Sequence, residues 1–335
     1  MVVINSFTPA IIMCIITMIC WGSHANTLKM VQKSYAYSYY YWDQAIGYLL
    51  LPLILGLTMG SIGDTGRSLF KDLAQGSSNT YMWAILGGFV FNLANILFVS
   101  AVDIAGMAVA FPIGIGIALV EGVIINYIAK PKGNPVLIFV GVALITAAIV
   151  INALAYRRMK SKDEDSSVIK KGITLAIVGG ILMGLFYYLL QNSLSNDFNN
   201  LEAGKFGPYA AVVVFAFASF ISNFIFNSYI MAHPFKGEPV KYSGYVAKGY
   251  GREHLVSILG GMINCTGTTF NIIASGVVGA AIAYGLGQGA PMIAAVWGVF
   301  IWKEFKGAPK ETNGLLVAMF AMFIVGLSLL VISKL

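Results

Sequence analysis

Long apolar runs separated by short polar joins dominate the chain. Apolar stretches occupy roughly 8–28, 38–60, 81–102, 104–127, 135–156, 172–194, 208–231, 255–275, 277–301 and 313–333. A helix that crosses a bilayer needs about 20 mostly apolar residues, because each residue advances about 1.5 Å through a hydrocarbon layer about 30 Å thick. Every run has about that length. None shows the polar–apolar alternation over about ten residues that marks a membrane-barrel strand. A helix also satisfies its own backbone groups in lipid. The pattern therefore predicts an all-α polytopic membrane protein with ten transmembrane helices.

Composition agrees. Of 335 residues, 58% are hydrophobic and 10% charged, against about 45–50% and about 25% in soluble domains. So few charges cannot clothe a water-soluble surface of this size. An ordinary soluble enzyme, a nucleic-acid binder and a disordered chain are excluded. Cys14, Cys20 and Cys265 all lie in apolar runs, so no disulfide framework is expected. Residues Met1 to Thr8 lack the basic start of a signal peptide, and the run after them reads as the first span.

Charge sets the expected orientation. On the side that holds the N-terminus, here end A, lie six of the 21 basic residues: Arg67, Lys71, Lys130, Lys132, Lys205 and Lys334. The other 15 fall on end B, among them Arg157, Arg158, Lys160, Lys162, Lys236 and Lys248. Positive residues stay cytoplasmic. End B is therefore expected in the cytoplasm and both termini outside it, in a cell membrane.

A shift of 173 residues aligns the halves without a gap from about 84 to 157. Leu86-Gly87-Gly88 falls on Leu259-Gly260-Gly261, Gly106 on Gly279, Gly114 and Gly116 on Gly287 and Gly289, and Lys130 on Lys303. Order and spacing hold across three spans, which reads as an internal duplication. The division expected is 1–157 for the first five-helix repeat, 158–171 for a short basic cytoplasmic linker, and 172–335 for the second repeat. Five is odd, so the second repeat lies inverted in the membrane. Inverted repeats mark secondary transporters, with the solute site at their interface near the midplane. The matched stretches GMAVAFPIGIG (106–116) and GAAIAYGLGQG (279–289) combine glycines with Pro112 in one and Gly285 in the other. They predict paired helix interruptions lining the site, and the same small residues suit close helix packing.

Polar residues within the spans are the candidate site. No Lys or Arg falls inside one, and the carboxylates are Asp43 and Glu121. A carboxylate in a bilayer is costly and tends to be protonated or functional, so both are candidates for proton coupling. Asp43 alternatively caps an interfacial aromatic belt, Tyr37 to Trp42. Asp103 is expected in the wet turn between spans three and four. Amides and hydroxyls recur at helical spacing: Asn92 and Asn95; Asn264, Thr268 and Asn271; Tyr187 and Gln191; Asn223 and Asn227; Tyr284 and Gln288. Residues three or four apart share a helix face. Those faces should look into the bundle, as solute contacts or as interhelical bonds. Amides offer donor and acceptor together, and Trp and Tyr offer stacking faces. Such a lining suits an uncharged, flat or ring-shaped polar solute. The expected solute contacts are Trp21, Asn92, Asn95, Asn264, Thr268, Tyr284 and Gln288. His24 in span one could relay a proton or simply be wetted, and His233 and His254 are expected to be solvated. No catalytic cluster, metal-ligand spacing or cofactor motif is present in the sequence, so no enzyme is expected.

Several stretches resemble the ureide permease family of the drug/metabolite transporter superfamily. They are Trp21-Gly22-Ser23, Tyr41-Trp42-Asp43, GGFVFN (87–92), IAGMAVAFPIGIG (104–116), Asn126-Tyr127-Ile128, PKGNP (131–135), FNIIAS (270–275) and YGLGQGAPMIAAVWGVFIWKE (284–304). The resemblance covers nearly the whole chain. It implies a ten-helix, five-plus-five inverted-repeat fold and proton-coupled uptake of allantoin-like ureides or nucleobases such as uracil. Plant members carry a large central loop with an ATP-binding-type motif; here the linker is short and has no GxxxxGK, which makes nucleotide control unexpected. Related branches of the superfamily move glucose, ribose or rhamnose. A sugar:proton symporter and a drug or metabolite exporter therefore stand as alternatives. The expected partners are a small neutral solute, H+ and the lipid bilayer, with no nucleic acid.

Overall fold

The computed structural model describes residues 1–158, 166–235, 237–246 and 249–335. Lys160, Lys162, Lys236 and Lys248, and the stretch 159–165 of the linker, lie outside the described residues. The described residues form helices and no strand beyond one isolated bridge, Leu194 with Phe206.

Span one is α1 (Phe7–Ser23), which turns at His24 and Ala25 into the short α2 (Asn26–Met30). Next come α3 (Tyr37–Leu57) and the small surface helix α4 (Leu69–Gln75). Then α5 (Ser78–Ala105), α6 (Met107–Ala129) and α7 (Pro135–Arg157) complete the first half. The second half opens with α8 (Ser166–Ser193), inside the stretch expected to be linker, and α9 (Pro208–Ala232). A short α10 (Tyr242–Tyr245) precedes α11 (Gly251–Val278). Span nine is built from α12 (Ala280–Gly287), α13 (Ala290–Val296) and a π-helical turn (Trp297–Ile301); α14 (Lys310–Ile332) ends the bundle.

Local chemistry sets several boundaries. The Ser77 side chain accepts from Thr80 N at the start of α5. The Asn134 side chain accepts from Val136 N and Leu137 N at the start of α7, with Pro135 in the first turn where its missing donor costs nothing. Asp103 lies in the last turn of α5, so that helix runs further than expected.

Among the described residues, nine helices are long and apolar enough to cross a membrane. The helix α3 falls short on hydropathy because Asp43 and Gln44, with the tyrosines around them, interrupt its apolar run. It is nevertheless 21 residues long, about 32 Å at about 1.5 Å per residue. Its two ends lie at opposite ends of the bundle. Near one, Tyr245 Oη donates to Asp43 at 2.6 Å. Just beyond the other, Val2 N donates to Met59 O at 2.7 Å.

The loops segregate as the charges suggest. At end A, Arg67 donates to the carbonyls of Leu201, Glu202 and Lys205, the N-terminal amine to Thr65 O, and Asn134 N to Ser333 O. At end B, Lys29 pairs with Glu304, Tyr156 Oη donates to Glu304 at 2.9 Å, and Trp302 Nε1 donates to Asn26 at 2.6 Å.

Packing repeats across the halves. α5 packs on α8 and α9, while α11 packs on α1 and α3; α6 packs on α8, while α12 and α13 pack on α1. α7 packs on α14, α3 on α9 and α6 on α12. Numbering α1, α3, α5, α6, α7, α8, α9, α11, the α12–α13 pair and α14 from one to ten, each of these contacts recurs when five is added to or taken from both members.

The match extends to the backbone. α5 and α11 each have 28 residues, and their ends lie 173 positions apart. Each is followed by one glycine, Gly106 at φ 78°, ψ 160° and Gly279 at φ 98°, ψ 151°. Only glycine takes that conformation without strain. Close contacts also correspond. A Cβ on Gly88 would stand 2.3 Å from Phe215 O, and one on Gly261 would stand 2.0 Å from Gln44 O.

The expected pair of interruptions is not found. α6 runs unbroken through Pro112, whereas span nine breaks at Gln288 and Gly289. Pro112 stands near the start of its helix and removes one backbone bond. Gly285, Gly287, Gly289 and Pro291 weaken successive turns in the other copy.

Candidate functional site

The α3 face carries Tyr37, Tyr41, Gln44 and Tyr48 at steps of four, three and four, so the four side chains point the same way. α3 meets α11 with almost no gap, since a Cβ on Gly47 would stand 1.9 Å from Ile258 O. That contact turns Gly261 and Asn264 of α11 toward α3. α5 adds Phe91, Asn92 and Asn95, α9 adds Ser219, and the end of span one adds His24. Together they line a cleft of about 50 Å³ between the middle of the bundle and end B. A space of that size holds a few waters. A ring-shaped solute fits only after helices move apart.

Polar groups around the cleft divide into engaged and free. Tyr41 Oη donates to Asn92 Oδ1 at 2.7 Å, and Asn92 Nδ2 donates to Ser222 Oγ at 2.8 Å. Asn92 is thus fully tied between helices. The floor is a hydroxyl with two donors: Thr268 Oγ1 accepts from Tyr48 Oη at 2.8 Å and from Trp21 Nε1 at 3.3 Å. Below it Tyr48, Phe91, Phe186 and Phe215 form an aromatic cluster, with centroids of neighbouring rings 4.9–6.3 Å apart. The side-chain amides of Asn95 and Asn264 make no hydrogen bond to another described residue and line the cleft. One belongs to α5 and the other to α11.

The expected contact residues therefore separate. Asn92, Asn95 and Asn264 line the cleft, and Trp21 and Thr268 close its floor. Tyr284 and Gln288 lie elsewhere. Tyr284 is buried with its ring against Gly122, and its Oη donates to Met183 O at 3.0 Å and Ala118 O at 3.2 Å. Glu121 lies beside it, in a lateral groove of about 780 Å³ lined by apolar side chains of α6, α7 and α8. Its Oε2 is buried without a hydrogen-bond partner.

Asp43 does not serve an interfacial belt. It is 1% exposed and accepts from Tyr35 Oη at 2.5 Å, Tyr245 Oη at 2.6 Å and His254 Nδ1 at 3.0 Å. The belt itself is covered. Tyr39, Tyr40, Tyr41 and Trp42 are buried; Tyr39 Oη donates to Lys241 O at 2.6 Å, and Trp42 packs on Tyr242 with centroids 6.0 Å apart. The segment before α11 folds back over the start of α3. His254, expected to be solvated, is part of this latch.

Sequence reasoning missed Tyr37, Tyr41, Gln44, Tyr48 and Ser219. The signal was the helical spacing on α3, hidden because a tyrosine-rich helix start also fits a membrane interface. Among the described residues no group of three or more His, Cys, Asp and Glu side chains could hold a metal ion.

Comparison with known proteins follows the same outline. The chain matches the ureide permease family over residues 40–171 and 156–333. Ureide permease 1 of Arabidopsis thaliana is 24% identical, over 88% of this chain and 88% of that protein. Glucose uptake protein GlcU of Bacillus subtilis (strain 168) is 22% identical, over 79% of this chain and 82% of that one. A protein of known crystal structure superimposes with a TM-score of 0.62 at 16% identity, covering 96% of this chain and 95% of that chain, a likeness of fold.

Proposed function

The chain belongs to the ureide permease family, and from that premise we propose that it takes up a small neutral ureide or nucleobase by proton-coupled alternating access. Its class is plain: it is a multi-pass membrane transporter of small solutes and not an enzyme. The observation that carries the finer reading is the pair Asn95 and Asn264. Two unengaged amides from different halves of the chain line one cleft walled by Tyr37, Tyr41, Tyr48 and Phe91. A ureide or uracil presents an –NH–CO–NH– edge, and each amide can give one donor and one acceptor to it. The aromatic walls suit a flat ring. Asn92 fixes Tyr41, and Trp21 with Thr268 closes the floor. Tyr284 and Gln288 would act toward end A, beyond that floor.

The two carboxylates would carry the proton, Glu121 toward end A and Asp43 at end B. Supporting the mechanism, contacts recur under the five-helix shift and α5 and α11 match in length. We take the chain as ten crossings in two inverted repeats, 1–157 and 172–335, that rock against each other about the cleft. End B would face the cytoplasm of a cell whose plasma or inner membrane holds the protein, with both termini outside. A sugar is the second reading, favoured by the glucose uptake relative, and the same amides and aromatics would serve it.

Competition uptake into liposomes tests this directly. Labelled allantoin and uracil are compared with glucose and rhamnose, with and without an inward proton gradient. Saturable, gradient-dependent uptake of allantoin or uracil is expected. Uptake of a sugar alone would retire the ureide assignment and keep the transporter class.

A further inference from the structure

One face of α11 is polar beyond the cleft. Asn264, Thr268, Asn271 and Ser275 follow steps of four, three and four, so they share a face. Asn271 stands about 10 Å further toward end A than Asn264, at about 1.5 Å per residue. The floor lies between them. Thr268 holds Tyr48 and Trp21, and the Trp21 ring wedges against Gly267 and Gly287, where added Cβ atoms would stand 2.7 Å and 2.6 Å from it.

Past the floor lies a group of polar side chains that the cleft does not use. Gln191 Nε2 donates to Ser275 Oγ at 2.9 Å, and Asn271 Nδ2 donates to Ala283 O at 2.7 Å. The Tyr187 hydroxyl lies within reach of Gln191 and Ser275, but neither contact has the geometry of a full hydrogen bond. Asn271 Oδ1 has no hydrogen-bond partner. Both residues are fully buried, at 0% exposure. Buried polar atoms in native proteins are nearly always paired, so a donor short of a full bond and an unpaired acceptor on neighbouring helices call for a partner. The Tyr187 and Tyr284 rings, with centroids 5.0 Å apart and planes tilted by 44°, add aromatic surface. Toward end A the group is shut in. Phe198 packs where a Gly276 Cβ would stand 2.7 Å from its ring, and Lys132 Nζ donates to Gly276 O at 3.1 Å.

We propose that Tyr187, Gln191, Asn271 and Ser275 form a second solute station on the end A side of the Trp21–Thr268–Tyr48 floor. It takes the –NH–CO– edge of the same ureide or nucleobase, with the Tyr187 hydroxyl donating to the solute carbonyl and Asn271 Oδ1 accepting from the solute N–H. The station rests on the functional reading above. It is occluded in this structure and would open when end A parts.

Tyr187→Phe removes one hydroxyl that makes no full hydrogen bond and preserves shape, so the fold is expected to stand. Exchange of labelled uracil and allantoin is measured in vesicles oriented with end A or end B outward. Loss of one neutral hydrogen bond corresponds to about three- to tenfold in affinity. The expected result is a rise of that size in KM on the end A side, with KM on the end B side within about twofold. Asn271→Ala, with its thermal midpoint as a check on folding, should move the same side. No change in Tyr187→Phe, or an equal change on both sides, overturns the station while uracil or allantoin exchange by the wild type keeps the functional reading. Wild-type protein that exchanges neither solute overturns both.

Discussion

The segments 78–129 and 251–302 share a backbone plan but not a chemistry. Their long helices match in length and end on glycines in the same unusual conformation. Side by side, Phe91 stands where the second segment has Asn264, Phe98 where it has Asn271, and Val102 where it has Ser275. The first segment gives the cleft Phe91 from the aromatic wall with Asn92 and Asn95; the second carries Asn264, Thr268, Asn271 and Ser275 along one face of its helix. Backbone close approach is common to both, while the side chains that line the helices differ. Under the alternating access proposed above, the shared joints would serve rocking and the differing linings recognition. The two demands fall on different atoms, glycine backbones and side-chain tips, so they can diverge separately.

The sharpest way to break that comparison is to attack what the copies share. Gly88→Val and Gly261→Val each push side-chain atoms into a carbonyl that a Cβ alone would approach within 2.3 Å and 2.0 Å. Overpacking a core costs about 1–3 kcal/mol and more where backbone must move. Both variants are expected to lose the folded, monodisperse species in size-exclusion chromatography, whereas Gly116→Ala, with nothing within 4 Å of its new Cβ, should behave as wild type. If only one of the first two fails, the shared joint is not shared. The next largest effect concerns what differs. Asn264→Ala is expected to raise KM at least about tenfold with an unchanged thermal midpoint, because a polar site loses a bidentate contact worth about two hydrogen bonds. A smaller shift than for Ser219→Ala would remove Asn264 from the solute site.

Glu121 sharpens the contrast in a third way, since the matched position is Ala294. Glu121→Gln should abolish proton-driven accumulation and leave solute exchange within about threefold of wild type, a difference of under 1 kcal/mol. Unchanged gradient-dependent uptake would take the proton away from this residue. The last expected effect, read on stability alone, is in the end B latch. Asp43→Asn leaves buried donors from Tyr35, Tyr245 and His254 facing a poorer acceptor. The expected cost is about 1–3 kcal/mol, seen as a lower thermal midpoint. A midpoint at or above that of wild type would mean that the latch does not hold the fold.

Much of this was legible in the amino-acid order, for a physical reason. Lipid demands about 20 apolar residues per crossing, so helix positions stand out to within a few residues, and a glycine-to-glycine register survives because close approach tolerates no substitute. The site was only half legible. Asn95 and Asn264 show through helical spacing, because an amide in an apolar span is conspicuous. Tyr41 and Tyr48 do not, because tyrosine is at home both in an interface and in a buried network. Asp43 finds His254 and Tyr245 about 200 positions away, and no local pattern encodes that meeting. Tyr284 and Gln288 share spacing with each other but lie outside the cleft, with the Tyr284 ring packed against Gly122 of α6.

Gly106 and Gly279 carry a consequence for how such a gene can vary. A backbone at φ 78°, ψ 160° or φ 98°, ψ 151° admits no side chain without strain. In a library holding every codon at every position, these two would come through selection for folded protein unchanged, while the paired positions around them accept many residues. They are fixed points from which the register of the two matched segments can be counted.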